Sequence, residues 1–181
     1  FEYFKRTGFS ANQWMQLSAV AKANGVEFLS SPFSVEAVGL LEDVGVGRYK
    51  IPSGEVSNIP LLEAVAETGK PVLLSSGMSN WLELDRAVAT IRRHHNNLCV
   101  MQCTSAYPCP PERVGLNILA EIRDRWNTTI GYSDHTLDNV ACFSAVALGA
   151  SLWLFSDFKT NRLPADQSAG DVGTGALSSR P

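Results

Sequence analysis

The fold is decided by the stretch Thr128-Thr129-Ile130-Gly131-Tyr132-Ser133-Asp134-His135-Thr136. Its first three residues are β-branched, as strands prefer, and a helix-like apolar segment follows from Asn139. The pattern predicts a strand over 128–130 whose carboxyl end carries Ser133 and His135. Proteins that alternate strands and helices keep their chemistry at this end of the strands. Two neighbouring polar groups there are able to bind an anion and a metal ion.

The same alternation of strand and helix recurs along the chain at intervals of about 22 to 30 residues. Predicted strands are Val26–Ser31, Arg48–Ile51, Pro71–Ser75, Leu98–Gln102, Thr128–Ile130 and Ser151–Phe155. Helices are predicted over 10–24, 35–41, 58–69, 81–93, 114–126 and 139–148. Capping residues support several of these helices: Ser34 precedes the second helix, and Asn80 with Glu83 forms a capping box at the fourth.

Regular alternation with mostly apolar strands predicts a parallel sheet covered by helices, in an α/β fold. Two architectures meet this description, a (β/α)8 TIM barrel and a doubly wound open sheet. The chain has no G-x-G-x-x-G or P-loop motif that would favour a nucleotide-binding open sheet. Polar residues after at least five strands favour the barrel. About six of its eight strand–helix units are visible, so we expect a truncated barrel over 1–155 and an irregular tail over 156–181.

Composition excludes several classes of protein. The 181 residues are 45% hydrophobic and 18% charged, which is typical of one globular domain. A net charge of −3 gives no electrostatic basis for binding nucleic acid. No apolar run approaches the roughly 18 residues that span a membrane, and the start Phe1–Arg6 does not resemble a signal peptide. The chain begins without Met. The four cysteines lack disulfide spacing, so we expect reduced core residues and a cytoplasmic protein.

Polar side chains that suit a binding site follow the predicted strands. They are Ser31; Lys50, Ser53 and Glu55; Ser75 and Ser76; Thr104, Ser105 and Tyr107; and Ser133, Asp134 and His135. Hydroxyls, one lysine and backbone amides next to glycine suit a phosphate or carboxylate ligand. His135 is able to ligate a metal or exchange a proton near neutral pH.

Each residue also has a simpler interpretation. Serine at a strand end often caps a helix or a turn. On this interpretation Lys50 is simply a solvated residue, and Glu55 caps the helix that begins near Asn58. The spacing of Ser133 and His135 is not the signature of a catalytic triad, and a lone histidine needs partners to bind a metal. The co-occurrence of polar residues on successive strand ends is what favours an active site.

Five motifs lie in the order and at the spacing of a known family. They are Phe28-Leu29-Ser30-Ser31-Pro32-Phe33, Lys50-Ile51-Pro52-Ser53-Gly54-Glu55, Leu74-Ser75-Ser76-Gly77-Met78, Gln102-Cys103-Thr104-Ser105-Ala106-Tyr107-Pro108 and Gly131-Tyr132-Ser133-Asp134-His135-Thr136. Over about residues 9–152 the chain resembles the sialic acid synthase family, which includes N-acetylneuraminate, legionaminate and spore-coat polysaccharide synthases. The resemblance implies a (β/α)8 barrel.

The resemblance also implies a reaction. Phosphoenolpyruvate condenses with an N-acylated aminosugar aldehyde such as N-acetylmannosamine, and a nine-carbon 2-keto acid and phosphate result. A divalent metal, Mn²⁺ or Mg²⁺, polarises the aldehyde in that family, which is a Lewis-acid role. Carbon 3 of phosphoenolpyruvate attacks the aldehyde, water adds at carbon 2 and phosphate leaves. Family members are homodimers.

Roles follow for the matching positions. The resemblance implies that phosphoenolpyruvate is held by Lys50, Ser53, Ser75 and Ser133, with Ser31 where the family often has Thr. Glu55 and Tyr107 are expected to contact the sugar, and His135 to be a metal ligand. Ser105 and Asp134 complete the predicted substrate contacts. The residues expected to be catalytic are Lys50, Glu55, Ser133 and His135.

The chain also departs from the family. The family's first two strands are absent, as is its C-terminal antifreeze-protein-like domain, which completes the partner's site in the dimer. The family's last strand ends in Glu-(Lys/Arg)-His, where this chain has Leu154, Phe155 and Ser156, so the second metal-binding histidine is replaced and Asp157 is the nearest substitute. A non-catalytic remnant that binds an anion or a subunit is therefore the alternative. A condensing barrel acting on a phosphosugar ranks lower, because only Lys50 offers a positive charge.

Overall fold

The computed structural model of the chain describes residues 8–155. Helices and strands alternate along this part of the chain. The helices are α1 (Ala11–Ala23), α2 (Val35–Val44), α3 (Ile59–Glu67), α4 (Trp81–Arg92), α5 (Ile118–Trp126) and α6 (Val140–Ala147). The strands are β1 (Tyr49–Ile51), β2 (Val72–Ser75), β3 (Leu98–Cys103), β4 (Thr129–Asp134) and β5 (Leu152–Phe155). Short 3-10 turns cover Ser53–Glu55 and Pro111–Arg113.

The five strands form one curled parallel sheet in the order β1-β2-β3-β4-β5. Each strand pairs in parallel with the next, and a helix connects each pair. The predicted parallel sheet with covering helices is thereby confirmed. Within residues 8–155 the sheet is open, so the number of units in a complete (β/α)8 barrel stays a prediction.

Local capping explains where several helices begin. The Ser34 hydroxyl accepts a hydrogen bond from the Ala37 N–H at the start of α2. Asn80 and Glu83 form the predicted capping box of α4, each side chain accepting from the other's backbone N–H. A cap of this kind contributes about 1 kcal/mol to helix stability. These signals are local in sequence, which is why the starts of these helices could be predicted.

Three elements differ from prediction. The expected strand Val26–Ser31 is reduced to an isolated bridge between Ser30 and Tyr49, because Ser30 alone of these residues pairs with the neighbouring strand β1. The helix α5 begins four residues late, since Gly115 adopts a left-handed φ of 66° that interrupts it. Strand β4 runs on to Asp134 instead of ending at Ile130, because β3 is long enough to pair with it as far as Ser133.

The two faces of the sheet differ in their surroundings. The helix side carries the main core, with fully buried residues such as Leu74, Val100 and Tyr132. The opposite, concave side holds a smaller cluster of Leu73, Cys99 and Met101, on which Leu29, Leu152 and Leu154 pack. Because side chains alternate along a strand, the concave side also receives every second residue at the strand ends.

Two further expectations can be compared with the described part of the chain. All four cysteines are free and buried, as predicted. None of the helices in residues 8–155 is long and apolar enough to cross a bilayer. The predicted irregular tail, including Ser156 and Asp157, lies outside the described residues.

Candidate functional site

Lys50 and Ser75 lie in contact on the concave side of the sheet. Lys50 pairs with Leu73 on the neighbouring strand, and its ammonium reaches two residues further to donate a hydrogen bond to Ser75 Oγ. It also lies 3.4 Å from the Ile51 carbonyl oxygen. Burial lowers the pKa of Lys50 from 10.5 to about 8, and the adjacent thiols of Cys103 and Cys99 act in the opposite direction. The freely solvated Lys50 of the simpler interpretation is therefore not observed.

The loops that follow β1, β2 and β3 meet at Gly77. A Cβ atom at this position would lie 2.6 Å from the hydroxyl oxygens of both Ser53 and Ser105, and 3.1 Å from the carbonyl oxygen of Cys103. No side chain fits there, so glycine allows the three loops to converge. The Ser53 hydroxyl also donates to Cys103 Sγ at 3.5 Å. Gly77 belongs to one of the five motifs but was not predicted as a site residue. The Ser-Ser-Gly turn directly after an apolar strand was the sequence signal that indicated its role.

His135 is held from several directions by the loop after β3. Its Nδ1 lies 2.8 Å from the Thr104 carbonyl oxygen, and its own carbonyl accepts from the Cys109 N–H at 2.7 Å. The ring of Tyr107 stacks on the imidazole with centroids 4.0 Å apart. Because a carbonyl only accepts, Nδ1 carries the proton and Nε2 presents the lone pair.

The electrostatic surroundings of His135 favour the neutral ring. Burial is the largest cause that lowers its pKa, and the charge of Lys50 lowers it further. The hydrogen bond to Thr104 and the charge of Asp134 partly oppose this. A neutral imidazole with a defined tautomer is the form that ligates a metal or accepts a proton.

Ser133 and Asp134 are adjacent in sequence but lie on opposite sides of β4. Ser133 is on the concave side, paired with Cys103 and Leu154 of the flanking strands. Asp134 is fully buried on the helix side, where it accepts hydrogen bonds from Thr136 N (2.8 Å), Thr136 Oγ1 (3.1 Å), Tyr132 OH (3.2 Å) and Cys142 Sγ (3.1 Å). Strand alternation thus directs Asp134 away from Lys50 and Ser133. The geometry favours a structural role for Asp134 over the predicted substrate contact.

The remaining predicted site residues lie at the rim, by which we mean the segments next to the carboxyl ends of the strands. Glu55, in the turn after β1, accepts from Asn58 Nδ2 at 2.7 Å, while the helix itself is capped by Asn58, whose Oδ1 accepts from the Leu61 N–H. Ser31 is half-buried and follows the Ser30 bridge to Tyr49, beside Lys50. Ser105 and Tyr107 are exposed on the loop after β3. The structure therefore brings together Lys50, Ser53, Ser75 and Ser105 through direct contacts or through Gly77, and places the others nearby.

The described residues fit a divalent metal only in part. Nε2 of His135 is a suitable nitrogen donor, in the neutral form that metals require. Among residues 8–155, however, no three His, Cys, Asp or Glu side chains are grouped so that they could hold a metal ion. Within residues 8–155, His135 is one suitable donor, without the grouped side chains that a complete metal site needs.

A curled parallel sheet that carries a lysine, several hydroxyls and a histidine at the carboxyl ends of its strands is typical of the class of α/β proteins that bind their ligands at this end. A sequence model of the NeuB family matches residues 1–153. The chain therefore belongs to the NeuB family, and the predicted resemblance to sialic acid synthases is confirmed.

Two curated proteins with similar sequences are named as synthases. The chain is 38% identical to the N,N'-diacetyllegionaminic acid synthase of Campylobacter jejuni, over 72% of this chain and 40% of that protein. It is 34% identical to the human N-acetylneuraminate-9-phosphate synthase, over 83% of this chain and 42% of the other. The chain thus spans less than half the length of these curated relatives.

A solved structure agrees with the sequence comparisons. The N-acetylneuraminic acid synthetase of Leptospira borgpetersenii, crystallised with citrate, superposes with a TM-score of 0.79 at 30% identity. The match covers 82% of this chain and 52% of that one.

Proposed function

We propose that this chain forms the phosphoenolpyruvate-binding part of a sialic acid synthase-type enzyme. The complete reaction joins phosphoenolpyruvate, an N-acylated aminosugar aldehyde and water to give a nine-carbon 2-keto acid and phosphate. The observation that carries the proposal is the contact of Lys50 with Ser75, beside Ser53 and Ser105 at Gly77. A partly buried ammonium next to several hydroxyls is preorganised for a phosphate group.

The proposal assigns the chemistry to particular atoms. Lys50 Nζ would neutralise the phosphate, and the hydroxyls of Ser53, Ser75 and Ser133 would donate hydrogen bonds to its oxygens. Fixing phosphoenolpyruvate in this way would place its carbon 3 against the sugar aldehyde, which replaces a random encounter by a positioned one. Tyr107 and Glu55, on the rim, would contact the sugar.

A divalent ion belongs to the proposal, with His135 Nε2 as its ligand within residues 8–155. When bound, such an ion would supply Lewis-acid polarisation of the aldehyde. The Thr104 carbonyl would keep the imidazole in the tautomer that this role needs. We further propose that the sheet belongs to a (β/α)8 barrel, and that the enzyme is a cytoplasmic homodimer.

The test is phosphate release from phosphoenolpyruvate with N-acetylmannosamine and Mn²⁺. Release that depends on the sugar and is lost in His135→Ala is the expected result. His94→Ala is the matched control, because His94 is a surface residue paired with Glu63 at the opposite end of the sheet, and it should keep full activity. Release without the sugar, or an active His135→Ala variant, would contradict the proposal.

A second function is favoured by one observation, the single metal ligand among residues 8–155. On that reading the chain binds phosphoenolpyruvate or phosphate without turning it over. Calorimetric titration separates the two functions: binding that is lost in Lys50→Met, without phosphate release in the assay above, supports the binding protein. Binding together with release supports the synthase.

A further inference from the structure

Gln102 lies behind the candidate site, on the helix side of β3, and is almost fully buried. Its Oε1 lies 3.1 Å from Ser76 Oγ, and its Nε2 donates to the Val114 carbonyl oxygen at 3.1 Å. The side-chain amide therefore bridges two segments that are 38 residues apart in sequence. Gly115 is part of the same arrangement, because a Cβ atom on it would lie 2.6 Å from Gln102 Nε2.

The chemistry of the partners fixes the orientation of every group in this network. The Val114 carbonyl only accepts, so the amide nitrogen must face it and Oε1 must face Ser76. The Ser76 hydroxyl must then donate to Oε1, which leaves its lone pairs for the Cys103 N–H at 3.3 Å. The Ser76 N–H in turn donates to the Met101 carbonyl at 2.9 Å. The three bonds that involve the Gln102 amide and the Ser76 hydroxyl therefore have one consistent arrangement of donors and acceptors.

The two segments that Gln102 joins both carry candidate site residues. Ser76 stands between Ser75, the partner of Lys50, and Gly77, where the hydroxyls of Ser53 and Ser105 converge. Val114 lies in the last part of the loop over 104–117. That loop begins with Thr104, whose carbonyl holds His135 and whose hydroxyl donates to the Arg113 carbonyl at 2.8 Å.

We propose that Gln102 is a positioning residue, which couples the turn at Ser75–Gly77 to the loop over 104–117. Its amide sets the distance between the phosphate side of the site and the side that carries Ser105 and His135. This inference rests on the proposed function for its consequence in binding, whereas the coupling itself is independent of any ligand. Gln102 takes no part in the chemistry, because it faces away from the concave side.

Hydrogen–deuterium exchange tests the coupling without a ligand. In Ser76→Ala, we expect amides of 110–117 to exchange about tenfold faster, the factor that one lost hydrogen bond gives. The Ser76 hydroxyl bonds Gln102 and the Cys103 N–H, and the double variant described next separates the route through Gln102 from the route through Cys103. Gln102→Met, which keeps the length of the side chain without its polar atoms, should loosen both 75–79 and 110–117.

The double variant and a matched control complete the experiment. If the network is one unit, Ser76→Ala with Gln102→Met exchanges no faster at 110–117 than Gln102→Met alone. Thr128→Val removes a comparable side-chain bond, from Thr128 Oγ1 to the Leu98 carbonyl at 2.7 Å, at the amino end of β3. It should leave both segments unchanged. Unchanged exchange at 110–117 in Ser76→Ala, or multiplying effects in the double variant, would overturn the coupling.

Titration with phosphoenolpyruvate then tests the consequence. We expect Gln102→Met to raise the dissociation constant about tenfold and Thr128→Val to leave it unchanged. Wild-type affinity in Gln102→Met, with the loops loosened, would overturn the positioning role. If exchange reports the coupling but the wild-type chain binds no phosphoenolpyruvate, the proposed function fails while the coupling stands.

Discussion

Replacing Lys50 by methionine should weaken ligand binding and raise the free energy of unfolding, and the gain in stability should depend on pH. Burial lowers the pKa of Lys50 in the folded chain to about 8 from an ordinary value of 10.5. Below pH 8 the lysine is charged in both the folded and the unfolded chain, so the cost of burying the charge is fully present. Between pH 8 and 10.5 the folded chain releases its proton first, and the stability of the wild type rises with pH.

The magnitude follows from the two pKa values. From pH 7 to pH 10 the free energy of unfolding of the wild type should rise by about 2.5 kcal/mol relative to Lys50→Met, which has no proton to lose. The titrating groups that face Lys50 are Cys99, Cys103 and His135. They are present in both proteins, so their own contributions largely cancel in the difference.

Urea unfolding of both proteins at half-unit steps of pH measures this difference. Lys22→Met is the matched control, because it removes a lysine that is exposed on α1. We expect Lys50→Met to lose at least tenfold in affinity for phosphoenolpyruvate at pH 7. A stability difference between Lys50→Met and the wild type that stays constant from pH 7 to 10 would refute the reasoning.

Two other substitutions test the packing of the site. Gly77→Ala places a Cβ atom 2.6 Å from two hydroxyl oxygens, so we expect at least a tenfold loss of phosphoenolpyruvate affinity by calorimetry. Gly39→Ala, in α2 with nothing within 4 Å of the new atom, should instead stabilise the fold by about 0.5–1 kcal/mol. Asp134→Asn presents an amide to several donors and should lower the free energy of unfolding by about 2–3 kcal/mol. The folded Asp134→Asn variant should keep its affinity within about threefold; a tenfold loss at unchanged stability would show that Asp134 contacts the ligand.

Elements with local signals were predicted well. Helix α4 begins at its capping box because Asn80 and Glu83 are three residues apart and need no other part of the chain. Strands β2 and β5 start within a residue of prediction, since their apolar runs are bounded by turn residues. The predicted strand over Val26–Ser31 was wrong for the opposite reason: only Ser30 pairs with β1, and the extent of pairing depends on residues that are distant in sequence.

For the candidate site residues, too, some properties follow from local sequence and others from contacts between distant residues. The sequence by itself determined that Lys50, Ser75, Ser133 and His135 lie at the carboxyl ends of parallel strands, because strand–helix alternation carries that information in order along the chain. Its motifs also determined the family. These are properties of short segments and of their succession.

Only the tertiary structure decided which of those residues meet. The pairing of β3 with β4 extends β4 beyond its predicted end. The side chain of Asp134 then lies on the helix side of the sheet, away from Ser133. Gly77 and Gln102 owe their importance to contacts with residues distant in sequence. Contacts of this kind depend on the register between strands and on the space between loops, and these quantities arise only once the whole sheet has packed.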